Sequence, residues 1–166
     1  MEVIDMIFEK ANIKDLSALI ELRKAYLLED YGKLSKEKLA TIHDNLNVYF
    51  KEHLNSDLYV FVCRDMEDVI VSCCFLLITE KPSNPTFLNG RTGTILNVYT
   101  KPEYRRKGIA KKLIEILIAE AEKMQLDFVE LKSTDSGYNL YKSVGFEDSV
   151  EKYHNMKYII NPNNKI

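Results

Sequence analysis

A cationic run that leads into a helix with small residues at its start is the segment best suited to chemistry. Between Lys101 and Lys112 the chain has six basic residues and one acid, Glu103. Gly108 and Ala110 lie at the predicted helix start, where unpaired backbone N–H groups and the positive end of the helix dipole attract phosphate. Small residues there let phosphate oxygens approach the backbone. The pattern indicates an anion site, and it is equally typical of a charged turn before a surface helix.

The cysteine and histidine residues do not have the spacing of a reactive or metal-binding site. The three cysteines lie inside apolar, strand-like runs, at Cys63, Cys73 and Cys74. Such positions are typical of reduced, buried thiols in a cytosolic protein, because a reactive cysteine needs an electropositive and partly exposed setting. The histidines have no metal-ligand spacing with a cysteine or a carboxylate pair; they are His43, His53 and His154. We therefore predict packed thiols and no metal.

Helical periodicity is clearest in the segment that follows the cationic run. Apolar residues at spacings of three and four predict a helix over residues 108–124, with Lys111 and Glu115 on its other side. Similar spacing predicts earlier helices over residues 15–32 and 35–50, and a short later helix over residues 138–144.

Runs of aliphatic, β-branched and aromatic residues predict the strands. Residues 58–62 and 69–78, joined by a polar turn, are typical of an antiparallel hairpin of buried strands. Further strands are predicted over residues 6–11, 94–99 and 128–131. The alternation of Met156, Tyr158 and Ile160 with more polar residues predicts a last, half-buried strand. This order of elements indicates an α/β sandwich with a mixed sheet.

Length and composition indicate one globular domain. The chain has 166 residues, of which 46% are hydrophobic and 29% charged, as in folded proteins. We predict a single domain over residues 1–160 and a frayed tail over residues 161–166. The formal net charge of −2 argues against a nucleic-acid binder, and no apolar stretch suits a membrane span or a signal peptide. A cytoplasmic protein with no nucleic-acid or membrane partner is expected.

Two motifs resemble those of the GNAT superfamily of N-acetyltransferases. Arg105-x-x-Gly108-x-Ala110 stands between a strand and a long amphipathic helix, as the acetyl-CoA signature of that family does. Further along the chain Tyr141 precedes a Gly-Phe pair, which is similar to the family's second hallmark. The element order is also similar over residues 5–160. The resemblance implies a GNAT-like (acyl-CoA N-acyltransferase) sandwich, with a mixed central sheet flanked by helices.

The resemblance also implies where acetyl-CoA would bind as co-substrate. The strands near Thr94 and Phe128 would separate at their ends, and the pantetheine arm would pair with backbone in that gap. The diphosphate would lie on the N–H groups of residues 106–110, and the N–H of Val98 would polarise the thioester carbonyl. The implied binding residues are Leu96, Val98, Arg105, Arg106, Lys107, Gly108, Ile109, Ala110 and Lys111.

Tyr141 is the catalytic residue that the resemblance implies. An amine would attack the thioester directly in a ternary complex, and the phenol would give a proton to the leaving CoA thiolate. A phenol's reference pKa of about 10 lies above that of a thiol, about 8.5, so the surroundings must assist this transfer. The alternative is that Tyr141 only packs its ring between a helix and the sheet.

The sequence does not identify a general base. Many family members have a glutamate on the strand before the cationic turn, where this chain has Thr94, and an asparagine before the tyrosine, where it has Thr134. Asn97 cannot accept a proton but could orient a water. Glu80 and Asp135 are further candidates, and an amine that arrives neutral would need no base.

The acceptor and the oligomeric state are also open. The first predicted helix combines Glu21, Glu29 and Asp30 with Tyr26 and Tyr31, which could be a rim for a cationic amine or a solvated helix face. The acceptor could be a small molecule or a protein amino group, and the protein a monomer or a homodimer. Because the strand glutamate is missing, a GNAT-like module that binds acyl-CoA as a sensor or scaffold, without catalysis, is the alternative function.

Overall fold

The described chain, residues 6–150 and 152–161 of a computed structural model, has one strand and two helices, then four strands, and then a helix, a strand and a helix. The strands are β1 (Ile7–Lys10), β2 (Leu58–Arg64), β3 (Ile70–Glu80), β4 (Arg91–Ile95), β5 (Tyr99–Thr100) and β6 (Val129–Glu130). The helices are α1 (Leu16–Tyr31), α2 (Lys36–His53), α3 (Ile109–Lys123) and α4 (Asp135–Ser143). Short 3-10 turns lie at Ile13–Asp15 and Pro102–Tyr104.

A single mixed sheet contains the six described strands. Its order is β1-β2-β3-β4-β6, and β5 pairs with β3 beyond the end of β4. The pairing is antiparallel except between β4 and β6, where Gly93 is opposite Val129 and Thr94 is opposite Glu130. A parallel pair needs a long crossover connection, which contains α3. The predicted mixed sheet flanked by helices is confirmed.

Helices cover both faces of the sheet. Val60 and Val62 of β2 pack in a cluster with α1 and α2, whereas Phe61 and Cys63 pack in a cluster with α3. This division follows from the strand geometry, in which successive side chains point to opposite faces. Because both faces are buried, the central strands are almost continuously apolar in sequence.

The cysteines are packed within these strands, as predicted. All three are buried and none is in a disulfide. Burial raises the pKa of Cys63 to about 11 and that of Cys73 to about 12, and it raises the pKa of Cys74 well above its usual value. The thiols therefore stay protonated at neutral pH.

The strand predicted over residues 94–99 is interrupted. Ile95 pairs with Leu76 and Tyr99 pairs with Cys73. Three residues, 96–98, therefore lie between the two pairs on this strand, where β3 has only two. The extra residue makes a bulge. The sequence pattern did not reveal the bulge, because the residues on either side of it both have the composition of an ordinary strand.

The last predicted strand is wrong within the described residues. Residues 152–161 contain no strand, and Met156, Tyr158 and Ile160 are 94%, 91% and 89% exposed. Alternation of apolar and polar residues is typical of a half-buried strand, but a strand also needs the edge of a neighbouring strand to pair with, and the alternation does not provide one. Of the predicted tail, Asn161 is described and residues 162–166 lie outside the described residues.

Neither a membrane-spanning helix nor a cluster of metal ligands occurs in the part of the chain that the structure describes. No helix there has both the length and the apolar character needed to cross a bilayer. No group of three or more His, Cys, Asp or Glu residues there could hold a metal ion.

Candidate active site

A cavity of about 630 Å³ brings together several of the residues singled out from the sequence. Its walls come from the end of α1, the interruption between β4 and β5, the start of α3, and α4. The parallel pairing of β4 with β6 stops at Thr94 and Glu130. The pairing thus ends before Val98, which lines the cavity.

Residues 108–111, at the N-terminus of α3, line this cavity. The first backbone hydrogen bond of the helix runs from the N–H of Lys112 to the carbonyl of Gly108, at 3.1 Å. The N–H groups of Ile109, Ala110 and Lys111 consequently have no acceptor within the helix. Gly108 is the N-cap residue, and no side chain caps the helix there.

The backbone before α3 is shaped to hold an anion. Gly108 has a φ of 78° and Arg106 a φ of 60°, both in the left-handed region. Such residues in a turn help to make a concave surface of N–H groups that binds anions. Outside Gly108, its chain neighbours and the adjoining helix backbone, no atom lies within 4 Å of the position where a Cβ on Gly108 would stand. A diphosphate group therefore fits beside this residue.

Arg105 lines the cavity, but its guanidinium is held by other parts of the protein. Its Nη2 donates to both carboxylate oxygens of Glu29, at 2.6 and 2.8 Å, and its Nε donates to the carbonyl of Thr100 at 2.8 Å. The hydroxyl of Tyr99 donates to the same carboxylate at 3.1 Å. Arg105 therefore connects the turn to α1.

The other predicted cations differ in their access to the cavity. Arg106 and Lys111 line it. Lys107 is not among the lining residues, and its Nζ lies 5.2 Å from the centre of the Tyr104 ring. That ring is held in turn, because its hydroxyl donates to Asp65 Oδ2 at 2.8 Å.

The interruption between β4 and β5 leaves the N–H of Val98 with no backbone acceptor among the described residues. Val98 lines the cavity and Leu96 does not. The N–H of Leu96 is already used, since it donates to the carbonyl of Phe75 at 3.0 Å. Of these two predicted backbone contacts, the structure leaves the N–H of Val98 available.

Tyr141 reaches the cavity from α4. This helix begins at Asp135, earlier than predicted, because Thr134 Oγ1 accepts the N–H of Gly137 at 3.3 Å and caps it. A Cβ on Gly137 would stand 3.1 Å from the Tyr141 ring, so glycine makes room for the ring. The ring also packs edge-on against Phe146, at 5.8 Å between centres.

The hydroxyl of Tyr141 has no hydrogen-bond partner among the described residues. Burial raises the pKa of Tyr141 to about 12, with smaller contributions from Cys74 and Tyr26. The phenol therefore keeps its proton at neutral pH and is available as a hydrogen-bond donor.

Part of the acidic and aromatic segment of α1 lines the cavity. Tyr26, Glu29 and Asp30 are lining residues, whereas Glu21 and Tyr31 are not. Asp30 has no hydrogen bond or ion pair among the described residues. Burial is the main cause of the raised pKa of Tyr26, and the negative charge of Asp30 raises that pKa further. Sequence reasoning noted this segment but could not separate the lining residues from the solvated ones, because all lie on one helix.

The residues considered as a general base are dispersed. Glu80 does not line the cavity; it lies 3.8 Å from Arg91, with its side chain 82% exposed. Asp135 is also outside the lining, and Thr94 is a sheet residue opposite Glu130. Carboxylates nevertheless reach the cavity wall, from α1.

Comparison with known proteins places this geometry in a known family. The model of the Acetyltransferase (GNAT) family matches residues 17–146, more than half of the chain. The matched region includes the cationic turn, α3 and Tyr141. No curated protein matches the chain.

Solved structures share the fold along nearly the whole chain. A predicted acetyltransferase from Clostridium acetobutylicum, crystallised with acetyl-CoA, is 27% identical; the match covers 92% of this chain and 96% of that one, with a TM-score of 0.80. A GCN5-related N-acetyltransferase from Ralstonia eutropha JMP134 is 24% identical over 91% of this chain and 98% of that one, with a TM-score of 0.76. Glucosamine-6-phosphate N-acetyltransferase from Arabidopsis thaliana is 20% identical over 94% and 99% of the two chains, with a TM-score of 0.61.

Proposed function

Because the chain belongs to the Acetyltransferase (GNAT) family, we propose that it transfers the acetyl group of acetyl-CoA to an amine. Acetyl transfer is the chemistry of the family, and the amine acceptor is the further step of this proposal. One observation carries it: the unpaired N–H groups at the start of α3, the unpaired N–H of Val98, and the hydroxyl of Tyr141 belong to residues of one cavity. These are the groups that binding and acyl transfer require.

The start of α3 is the proposed site for the coenzyme's diphosphate. The N–H groups of Ile109, Ala110 and Lys111 would donate to phosphate oxygens, with charge from Arg106 nearby. The solved neighbour from Clostridium acetobutylicum, which contains acetyl-CoA, supports this choice of ligand. Bound acetyl-CoA would supply the acyl group as a thioester.

Two donors of this chain would act on the thioester. The N–H of Val98 would donate to the carbonyl oxygen as negative charge develops there during attack by the amine. The hydroxyl of Tyr141 would donate to the departing sulfur. A phenol with a pKa of about 12 does not yield its proton unaided to a thiolate of reference pKa about 8.5. The proton that the sulfur gains is therefore balanced by the one that the acylated nitrogen loses, relayed through this hydroxyl.

Binding is tested by thermal unfolding with acetyl-CoA. A ligand at 100 times its dissociation constant stabilises the folded state by about 2.7 kcal/mol, which is roughly 5–10 °C for a chain of this size. Inorganic sulfate at the same concentration is the control for general anion binding. If millimolar acetyl-CoA leaves the midpoint unchanged, the proposal is wrong.

Catalysis is tested by thiol release from acetyl-CoA with a panel of amines. We expect Tyr141→Phe to lower kcat by about 100-fold or more, the usual size of an acid–base contribution, while the shift with acetyl-CoA persists. Tyr31→Phe, at an exposed tyrosine outside the cavity, is the matched control. A parental rate for Tyr141→Phe would assign the ring to packing alone. Binding of acetyl-CoA without thiol release for any amine would favour the sensor or scaffold alternative.

A further inference from the structure

We propose that Asn97 and Arg23 form a positioning pair that aims the N–H of Val98 into the cavity. The inference rests on the proposed function, in which that N–H stabilises the charge on the thioester oxygen. Neither Asn97 nor Arg23 is a lining residue, so the pair would act through Val98 and not by touching the substrate.

The side-chain amide of Asn97 is buried, and both its oxygen and its nitrogen make hydrogen bonds. Asn97 is 0% exposed. Its Oδ1 accepts a hydrogen bond from Arg23 Nη1 at 3.0 Å, and its Nδ2 donates to Cys73 Sγ at 3.4 Å. A buried amide that loses its partners is costly, so these contacts determine how the side chain is oriented.

Asn97 lies in the bulge directly before Val98, so the orientation of Asn97 affects the direction of the N–H of Val98. The N–H of Val98 belongs to the planar peptide group that joins Asn97 to Val98, so rotation about the Cα–C bond of Asn97 determines where that N–H points. On one side the chain is anchored by the N–H of Leu96, which donates to Phe75. On the other side Tyr99 pairs with Cys73. Between these anchors, the side chain of Asn97 is the group that fixes the middle of the bulge.

Arg23 connects the bulge to the wall formed by α1. Its guanidinium carbon lies 5.3 Å from the centre of the Tyr26 ring, and Tyr26 lines the cavity. The hydrogen bond to Asn97 therefore links the wall at α1 to the strand that carries the N–H of Val98. Among the described residues, no hydrogen bond joins the start of α3 to Arg23 or Asn97, so changes in this pair should alter the direction of the N–H and not the binding of the diphosphate.

The test compares four variants in acetyl-CoA affinity and in kcat. Asn97→Leu keeps the size of the side chain but removes both hydrogen bonds, and Arg23→Gln removes the charged donor. A hydrogen-bond donor that points away from the developing charge lowers the rate by about 10- to 100-fold. We therefore expect kcat to fall by that factor in both variants, while acetyl-CoA affinity changes less than threefold. Asn97→Asp keeps an oxygen for Arg23 and should recover most of the rate. Thr92→Val, a buried polar-to-apolar change elsewhere in the same strand region, should leave kcat unchanged.

Hydrogen exchange without acetyl-CoA tests the pair independently of catalysis. We expect the amide of Leu96 to exchange at least tenfold faster in Asn97→Leu and Arg23→Gln than in the parent, and at the parental rate in Thr92→Val. Unchanged exchange, or a loss of acetyl-CoA affinity in place of kcat, would overturn the proposal. If the parent has no transferase activity, the proposed function fails and the exchange result still decides whether the pair holds the bulge. Should Asn97→Leu fail to fold, Arg23→Gln carries the test, since Arg23 is only partly buried.

Discussion

Helices α2 and α3 both begin with backbone N–H groups that lack partners within the helix, but their sequences treat those groups in opposite ways. At α2, Ser35 Oγ accepts the N–H of Lys38 at 3.1 Å, and the first turn contains the acid Glu37. At α3, the residue before the helix is Gly108, no side chain caps it, and its first turn contains no acid. Lys111 lies in that turn, but lysines also lie in the first turn of α2, at positions 36 and 38, so the two helix starts differ in the cap and in the acid.

The difference separates a helix start that is capped by a side chain of the protein from one that has no such cap. A side-chain cap and an acid near the positive end of the dipole each stabilise a helix. α3 lacks both and has cations near its positive end, which is unfavourable on its own. Local rules are broken in this way at functional sites. A bound anion would supply both the acceptors and the negative charge that α3 lacks.

The largest effect is expected from Gly108→Asp, which would give α3 the kind of start that α2 has. The new carboxylate would occupy the N–H groups and repel phosphate, while aspartate tolerates the left-handed backbone better than most residues. We expect acetyl-CoA affinity to fall on the order of 100-fold, equivalent to about 2.7 kcal/mol, measured by calorimetry. Gly108→Asn is the uncharged control, and its acetyl-CoA affinity should fall less than that of Gly108→Asp. Parental affinity in Gly108→Asp would show that the coenzyme binds elsewhere.

A smaller effect, on stability alone, is expected from Ser35→Ala at α2. Loss of an N-cap side chain costs about 1 kcal/mol, which lowers the thermal midpoint of a chain of this size by roughly 2–4 °C. The rise in midpoint with acetyl-CoA should be the same as in the parent protein. If that rise diminished, the two helix ends would not be independent and the contrast between them would not hold.

The smallest effects are expected from neutralising one charge at each helix start, and they should have opposite signs. Glu37→Gln should destabilise the protein by about 0.3–1 kcal/mol, and Lys111→Gln should stabilise the ligand-free protein by a similar amount, because both charges lie near a positive helix end. Lys111→Gln should also weaken acetyl-CoA binding severalfold. Urea unfolding at low salt measures both changes, and 1 M salt should remove most of them. Equal signs at the two sites would contradict this account of α3.

The sequence by itself determined the features that depend on neighbours along the chain. The spacing of apolar residues predicted α3, the apolar runs predicted the buried strands and thiols, and the glycine at 108 marked the uncapped helix start. These are local signals, because helix periodicity, strand burial and capping involve residues a few positions apart. The same reasoning failed for residues 156–160, because a strand needs a partner edge that no local pattern provides.

Only the tertiary structure decided how distant segments meet. Arg105 is bound by Glu29, 76 residues away, and Asn97 is bound by Arg23, 74 residues away. The bulge between β4 and β5 follows from their register against β3, and the sequence of the strand does not encode that register locally. Which carboxylates of α1 reach the cavity depended on how the helix packs against the sheet. Contacts between segments far apart in the chain are settled by packing of the whole domain, and for that reason they determine the interior of the site.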